Sequence, residues 1–211
     1  MEAIQIETGP KPQAAVIWLH GLGADGHDFE PIVPELGLTK PVRFVFPHAP
    51  VRSVTINQGM RMRAWYDIFQ LGGGPEDEAG LRASQKLTEE LIAAQGLPAS
   101  KIVLAGFSQG GAIVLQTALR HGERLAGVMA LSTYLPLATK LAAERSEANR
   151  DVPIFMAHGR YDDLIPLDRA KASHDYLVKL GYPVEWHDYP MPHSVCPPEI
   201  ADISAFLARI L

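Results

Sequence analysis

The sequence predicts an α/β fold with a mostly parallel central sheet and helices on both faces. Two patterns carry that expectation. Short, unbroken apolar runs recur along the chain, and longer amphipathic stretches separate them. The apolar runs also show little polar alternation, the condition of strands buried on both faces beneath covering helices.

In chain order, "AAVIWL" (14–19) and "VRFVF" (42–46) read as the first strands. A helix is expected over 78–95, where Leu81, Leu87, Leu91 and Ile92 fall near one face and Gly96 and Pro98 stop the run. "IVLAGF" (102–107) is the next strand, and "SQGGAIVLQTALRHG" opens a helix that ends by Gly122. "GVMALS" (127–132) and "PIFMAHG" (153–159) are further strands. Amphipathic helices cover 167–180 and 198–210, and between them "VEWHDYP" (184–190) is a weaker strand suited to a sheet edge. The Gly-rich "LGGGPEDEAG" (71–80) is a loop rather than a boundary. With no internal repeat or long linker, residues 1–211 read as a single domain, long enough to bury a core.

Composition removes several classes of function. At 47% hydrophobic and 20% charged residues the chain is neither disordered nor fibrous. A net charge of −5 with no Lys/Arg run argues against nucleic acid or an anionic membrane as partner. The single cysteine, Cys196, forbids an intramolecular disulfide and reads as a small buried apolar residue. "MEAIQIETG" lacks a basic segment followed by an apolar run, so a cytoplasmic protein is expected. Residues 102–119 carry no charge, yet glycines and glutamines interrupt them. A strand, a tight turn and a buried helix fit better than stable membrane insertion.

Chemistry concentrates in the turn at "LAGFSQGGA" (104–112), where Gly106, Ser108 and Gly110 match G-x-S-x-G. A serine on a sharp strand-to-helix turn needs neighbours two residues away without bulky side chains. The helix beyond it directs N–H groups and partial positive charge toward a developing oxyanion. The same pattern also suits a plain βα turn with glycines for close packing. The two uses differ in what else they require. A serine nucleophile needs a base, and the base needs an orienting carboxylate. On a sheet of this kind they follow in the order Ser, acid, His, on loops after later strands. "MAHGRYDDLIP" (156–166) supplies Asp162 and Asp163, and "YPMPHSVCPP" (189–198) supplies His193. His187 and His174 lie within a strand and a helix, and are less well placed. An oxyanion hole needs the N–H after the nucleophile, from Gln109, and one from a loop after an early strand. "WLHGLGADG" (18–26) is that loop, with Leu22 between two glycines. It lacks the Lys-Ser/Thr and G-x-G-x-x-G signatures of a phosphate cradle.

These motifs, with "RAWYDI", "EDEAGL" and "ALSTYLP", resemble in order the carboxylesterase/acyl-protein thioesterase (lysophospholipase-like) family of α/β-hydrolases, from about residue 14 to 210. The resemblance implies an α/β-hydrolase fold. It implies Ser108 as nucleophile, His193 as general base, and Asp162 as the orienting acid with Asp163 the runner-up. It places Leu22 and Gln109 N–H groups at the oxyanion positions. The family's acyl-binding loop falls near Phe69 and Leu71, so Leu22, Phe69 and Leu71 are candidate apolar walls. Trp65 is either a wall or a core residue. The expected activity is hydrolysis of short- to medium-chain carboxylic esters or thioesters through an acyl-enzyme. Lysophospholipase or acyl-protein thioesterase activity is the alternative, and a non-catalytic binding protein on the same fold is a third. No cofactor or metal is expected, because the histidines lack zinc-ligand spacing. The expected partner is a small-molecule ester or acyl-thioester, and apolar residues near the 69–77 lid leave room for a homodimer.

Overall fold

A computed structural model describes residues 1–70 and 73–211. The strands are β1 (Ala3–Glu7), β2 (Ala14–Leu19), β3 (Val42–Pro47), β4 (Val51–Val54), β5 (Met60–Arg63), β6 (Ile102–Phe107), β7 (Gly127–Leu131), β8 (Ile154–Gly159) and β9 (Val184–Tyr189). The helices are α1 (Ile32–Glu35), α2 (Glu78–Ala94), α3 (Gln109–Ala118), α4 (Ala138–Glu144), α5 (Leu167–Lys179) and α6 (Pro197–Ile210). Seven strands form one sheet in the order β1-β3-β2-β6-β7-β8-β9. Every neighbouring pair is parallel except β1 with β3, and β4 and β5 form a separate antiparallel hairpin.

Side chains of a strand alternate between the two faces of its sheet. In β2, Ala15, Ile17 and Leu19 therefore enter one apolar cluster, and Ala14, Val16 and Trp18 enter the other. The first cluster takes in Leu81 of α2, Ile113 of α3, Leu141 of α4 and Leu177 of α5. The second takes in Ile32 and Val33 of α1 with Ile203, Phe206 and Leu207 of α6. Both faces of β2 are thus buried, which is why its sequence shows no polar alternation. The sheet is the mostly parallel one the sequence predicts, with helices on both faces.

β9 lies at the sheet edge, and only Tyr189 of its residues is fully buried. The sequence reading missed β1, the β4–β5 hairpin, α1 and α4. In β1 two isoleucines alternate with polar residues on a half-exposed antiparallel edge, a signal only five residues long. α1 is four residues and α4 seven, too short to show a period. Cys196 is half-buried against the second cluster rather than fully enclosed, and precedes Pro197 at the start of α6. No helix among the described residues is long and apolar enough to cross a membrane. The uncharged 102–119 stretch divides into β6 and α3.

Candidate active site

The site lies beyond the carboxyl ends of the parallel strands, where loops after β2, β6, β8 and β9 converge. This is the general location of ligands on such sheets. Ser108 separates β6 from α3 with φ 55° and ψ −117°. A non-glycine residue here carries a strain of about 1–3 kcal/mol. Hydrogen bonds hold the backbone on both sides: Ser108 N–H donates to Leu131 O at 2.8 Å, and Thr133 Oγ donates to Ser108 O at 2.7 Å. The flanking glycines are required by close approach. A Cβ on Gly110 would lie 2.2 Å from Leu19 O, and one on Gly106 would lie 2.4 Å from the Gly110 carbonyl. The turn is therefore pressed against the end of β2.

Asp162 and His193 meet across 31 residues of sequence: His193 Nδ1 donates to Asp162 Oδ2 at 2.6 Å. That bond places the proton on Nδ1 and leaves Nε2 as the lone pair. The two loops are brought together by backbone bonds from Arg160 N–H to Tyr189 O (2.8 Å) and from Tyr161 N–H to Met191 O (3.1 Å). Asp162 Oδ1 accepts from the N–H groups of Leu164 (3.0 Å) and Ile165 (2.8 Å), which fixes the carboxylate plane. The Asp162 side chain is fully buried, whereas Asp163 is exposed. Geometry therefore separates two neighbours that sequence register alone could not. The Phe107 ring packs on the His193 ring with centroids 4.8 Å apart.

A second histidine stands behind the carboxylate. His158 Nε2–H donates to Ile165 O at 2.8 Å and lies 3.3 Å from Asp162 Oδ2. Burial lowers its pKa below the usual histidine value, so it is a neutral donor at neutral pH. His20 plays a comparable part in the loop after β2. Its Nε2 accepts from Ala49 N–H at 3.1 Å and its Nδ1–H donates to Gly21 O at 2.7 Å. Burial again lowers its pKa.

Leu22, Gln109, Ser108, His193 and Phe69 line one cavity of about 400 Å³. Among the described residues neither the Leu22 nor the Gln109 amide donates to a protein acceptor. The Gln109 side chain is occupied elsewhere: Oε1 accepts from Trp65 N–H and Nε2 donates to Tyr66 O, each at 2.7 Å. Trp65 itself is fully buried in the core, outside the cavity lining, and its indole N–H donates to His20 O at 2.9 Å. It braces the loop after β2 from the core side and does not line the cavity. Leu71 lies outside the described residues. His187 pairs with Glu185 at 2.9 Å in β9 and His174 with Asp175 at 2.9 Å, both away from the cavity lining.

Sequence reasoning missed the backbone support from Thr133, the side-chain clamp of Gln109, and the roles of His20 and His158. The histidines were visible within "LHGLG" and "AHGRYDD", but their apolar flanks marked them only as strand ends.

With this arrangement in view, the chain was compared with known proteins. The phospholipase/carboxylesterase family model matches residues 1–211. The acyl-protein thioesterase 1 of Mycosarcoma maydis is 40% identical over 229 aligned positions, covering 99% of this chain and 95% of that protein. The acyl-protein thioesterase 1 of Neurospora crassa is 41% identical, covering 94% of this chain and 87% of that protein. Among solved structures, Zea mays acyl-protein thioesterase 2 superposes with a TM-score of 0.85 at 26% identity, covering 98% of each chain. Arabidopsis thaliana SOBER1 superposes with a TM-score of 0.88 at 29% identity, covering 93% of this chain and 98% of that one.

Proposed function

The chain belongs to the phospholipase/carboxylesterase family and is an ester-hydrolysing enzyme, and from that premise we propose that Ser108, His193 and Asp162 cleave carboxylic ester and thioester bonds through an acyl-enzyme. The observation that carries the assignment is the part-buried 2.6 Å hydrogen bond from His193 to Asp162, beside the cavity that His193 and Ser108 both line. Residues 1–211 act together as one hydrolase domain.

Ser108 Oγ attacks the carbonyl carbon while His193 Nε2 takes its proton. Asp162 keeps the imidazole in the useful tautomer and stabilises the imidazolium. The carbonyl oxygen becomes an oxyanion and accepts from the N–H groups of Leu22 and Gln109. As the tetrahedral intermediate collapses, His193 gives its proton to the departing alcohol or thiol. Water then attacks the acyl-enzyme with its proton passing to His193, which returns that proton to Ser108 Oγ as the second tetrahedral intermediate collapses and the acid leaves. The strained backbone at Ser108 holds the nucleophile in place through each half of the cycle, so little is reorganised during reaction.

Leu22, Ile56, Ile68 and Phe69 offer an apolar wall, and the cavity volume of about 400 Å³ suits short- to medium-chain acyl groups. The name carried by the curated relatives supports including acyl-thioesters among its substrates.

The test is a panel of p-nitrophenyl esters of rising chain length, beside a palmitoylated peptide and a lysophospholipid, with fluorophosphonate labelling of the intact protein. Ser108→Ala is expected to lose the label and at least about 10³-fold in turnover while remaining folded. A folded Ser108→Ala protein with near-normal turnover would sink the assignment. Turnover of the thioester and not of simple esters would narrow the substrate class.

A further inference from the structure

The wall of the cavity formed by the start of α5 carries a charge that hydrolysis itself does not use. Arg169 is the only arginine or lysine among the described residues that line the cavity. It stands in the first turn of α5, where the partial positive charge of the helix end disfavours a cation. Among the described residues its guanidinium has no carboxylate in ion-pair contact. Its central carbon lies instead over the Tyr134 ring, 3.5 Å from the centroid. The ring face stabilises the cation, and a guanidinium with five N–H donors and Tyr134 as its partner keeps donors for a further acceptor.

The surroundings hold the group still. Ser173 Oγ donates to Arg169 O at 3.0 Å and accepts from Leu135 N–H at 2.9 Å, which ties the α5 turn to the Tyr134 segment. The Tyr134 and Tyr66 hydroxyls are hydrogen-bonded at 2.9 Å, and burial raises both pKa values, so both phenols stay protonated at neutral pH. Two phenols sharing one hydrogen bond retain a second O–H to donate.

Four carboxylates also line the cavity, and three are engaged elsewhere. Glu76 turns both oxygens to Leu137 N–H at 3.1 and 3.2 Å. Asp67 accepts from Thr55 N–H and Oγ, and Asp77 accepts from Asp67 N–H and Gly80 N–H. The fourth, Asp28, belongs to the loop after β2. The Glu76 charge acts on Tyr66 and Tyr134 as the Arg169 charge does, with opposite sign, so the Arg169 cation is what offsets it for an incoming anion. An arginine with no acid in ion-pair contact, held over a ring face and braced on a ligand cavity, is a site prepared for an incoming oxyanion group.

Resting on the esterase function proposed above, we propose that Arg169, with Tyr134 and Tyr66, forms an anion-binding subsite and that this enzyme prefers esters bearing a carboxylate or phosphate on the arm that lies along that wall. The subsite determines specificity and takes no part in bond cleavage.

The experiment compares kcat/KM for anionic esters with that for neutral isosteres, in wild type, Arg169→Gln and Arg169→Lys. Mono-p-nitrophenyl adipate against its methyl ester places the charge on the acyl arm. 4-Carboxyphenyl butyrate against its methyl ester places it on the alcohol arm, and 4-phosphonooxyphenyl butyrate against its dimethyl ester tests phosphate. Comparing each ratio between enzymes cancels the intrinsic reactivity of the esters. For at least one pair the anionic/neutral ratio is expected to fall about 10- to 100-fold in Arg169→Gln, with Arg169→Lys between. Ratios unchanged in all three pairs overturn the subsite. Calorimetric titration of Ser108→Ala and of Ser108→Ala/Arg169→Gln with monomethyl adipate and with phenyl phosphate reads binding without turnover. Equal affinities in the two proteins for both ligands likewise overturn it. If folded wild type hydrolyses none of the esters and takes no fluorophosphonate label, the esterase proposal fails, and the titration alone decides the subsite.

Discussion

Replacing Gln109 tests how the oxyanion side of the site is built. Its side chain is 2% exposed and makes two hydrogen bonds of 2.7 Å, to Trp65 N–H and Tyr66 O. Both partners are backbone groups of buried residues, with Trp65 at 0% and Tyr66 at 3% exposure. Removing the amide strands a donor and an acceptor, and each stranded buried group costs about 1–3 kcal/mol. The two together amount to about 4 kcal/mol. In a protein of this size that corresponds to a fall in Tm of roughly 8–16 °C. Gln109→Met keeps the side-chain length and removes only the hydrogen bonds, whereas Gln109→Ala also opens a cavity. Both are expected to lose most of that stability, with Ala the worse of the two. The assay is urea unfolding followed by tryptophan fluorescence, with Trp65 beside the lost bonds as one of the reporters. A Gln109→Met protein within about 0.5 kcal/mol of wild type refutes the clamp and makes the side chain a space-filler.

Two other perturbations follow from the same structure. Asp162→Asn presents an amide N–H₂ or a reoriented oxygen to His193, disturbs the tautomer, and is expected to lower kcat by roughly 10³- to 10⁴-fold, judged by the effect in a triad of the same geometry. The exposed Asp163→Asn is the control, and an equal loss there in p-nitrophenyl butyrate kinetics would contradict the choice of Asp162. Glu199 is fully buried, and desolvation raises its pKa from the usual 4.5 to about 8, against the weaker opposing pull of the Cys196 backbone. Between those values the unfolded chain has released a proton that the folded protein still holds, so stability falls as pH rises. On that basis wild type is expected to lose on the order of 3 kcal/mol between pH 5 and pH 8 that Glu199→Gln does not. Parallel stability–pH curves from urea unfolding would exclude the buried carboxyl as the cause.

Much of this was legible before any coordinates, for reasons that differ by element. β2 and β6 announce themselves because burial on both faces leaves no position for a polar residue, and β8 does the same up to His158 near its carboxyl end. α2 shows its period because one of its faces meets water. β1 and the β4–β5 hairpin were not legible, since each is short and half-exposed, and either of their sides could have been water. At the site, the glycines around Ser108 point to a tight turn by residue type alone, and the order of Ser108, Asp162 and His193 is a property of the chain.

The sequence by itself determined the α/β class, the order of its main elements and the identity of the turn that could present a serine. These are local or periodic properties, written in neighbouring residues. Tertiary structure decided what depends on partners far apart in the chain. It placed Asp162 rather than Asp163 against His193, and put Trp65 behind the loop after β2, outside the cavity lining. It turned the Gln109 side chain to backbone groups 43 and 44 positions away. It also left Arg169 over the Tyr134 ring, with no acid in ion-pair contact among the described residues. Each of these outcomes is a competition for hydrogen bonds and buried space among groups that meet only after the sheet has formed, so no window of sequence contains it.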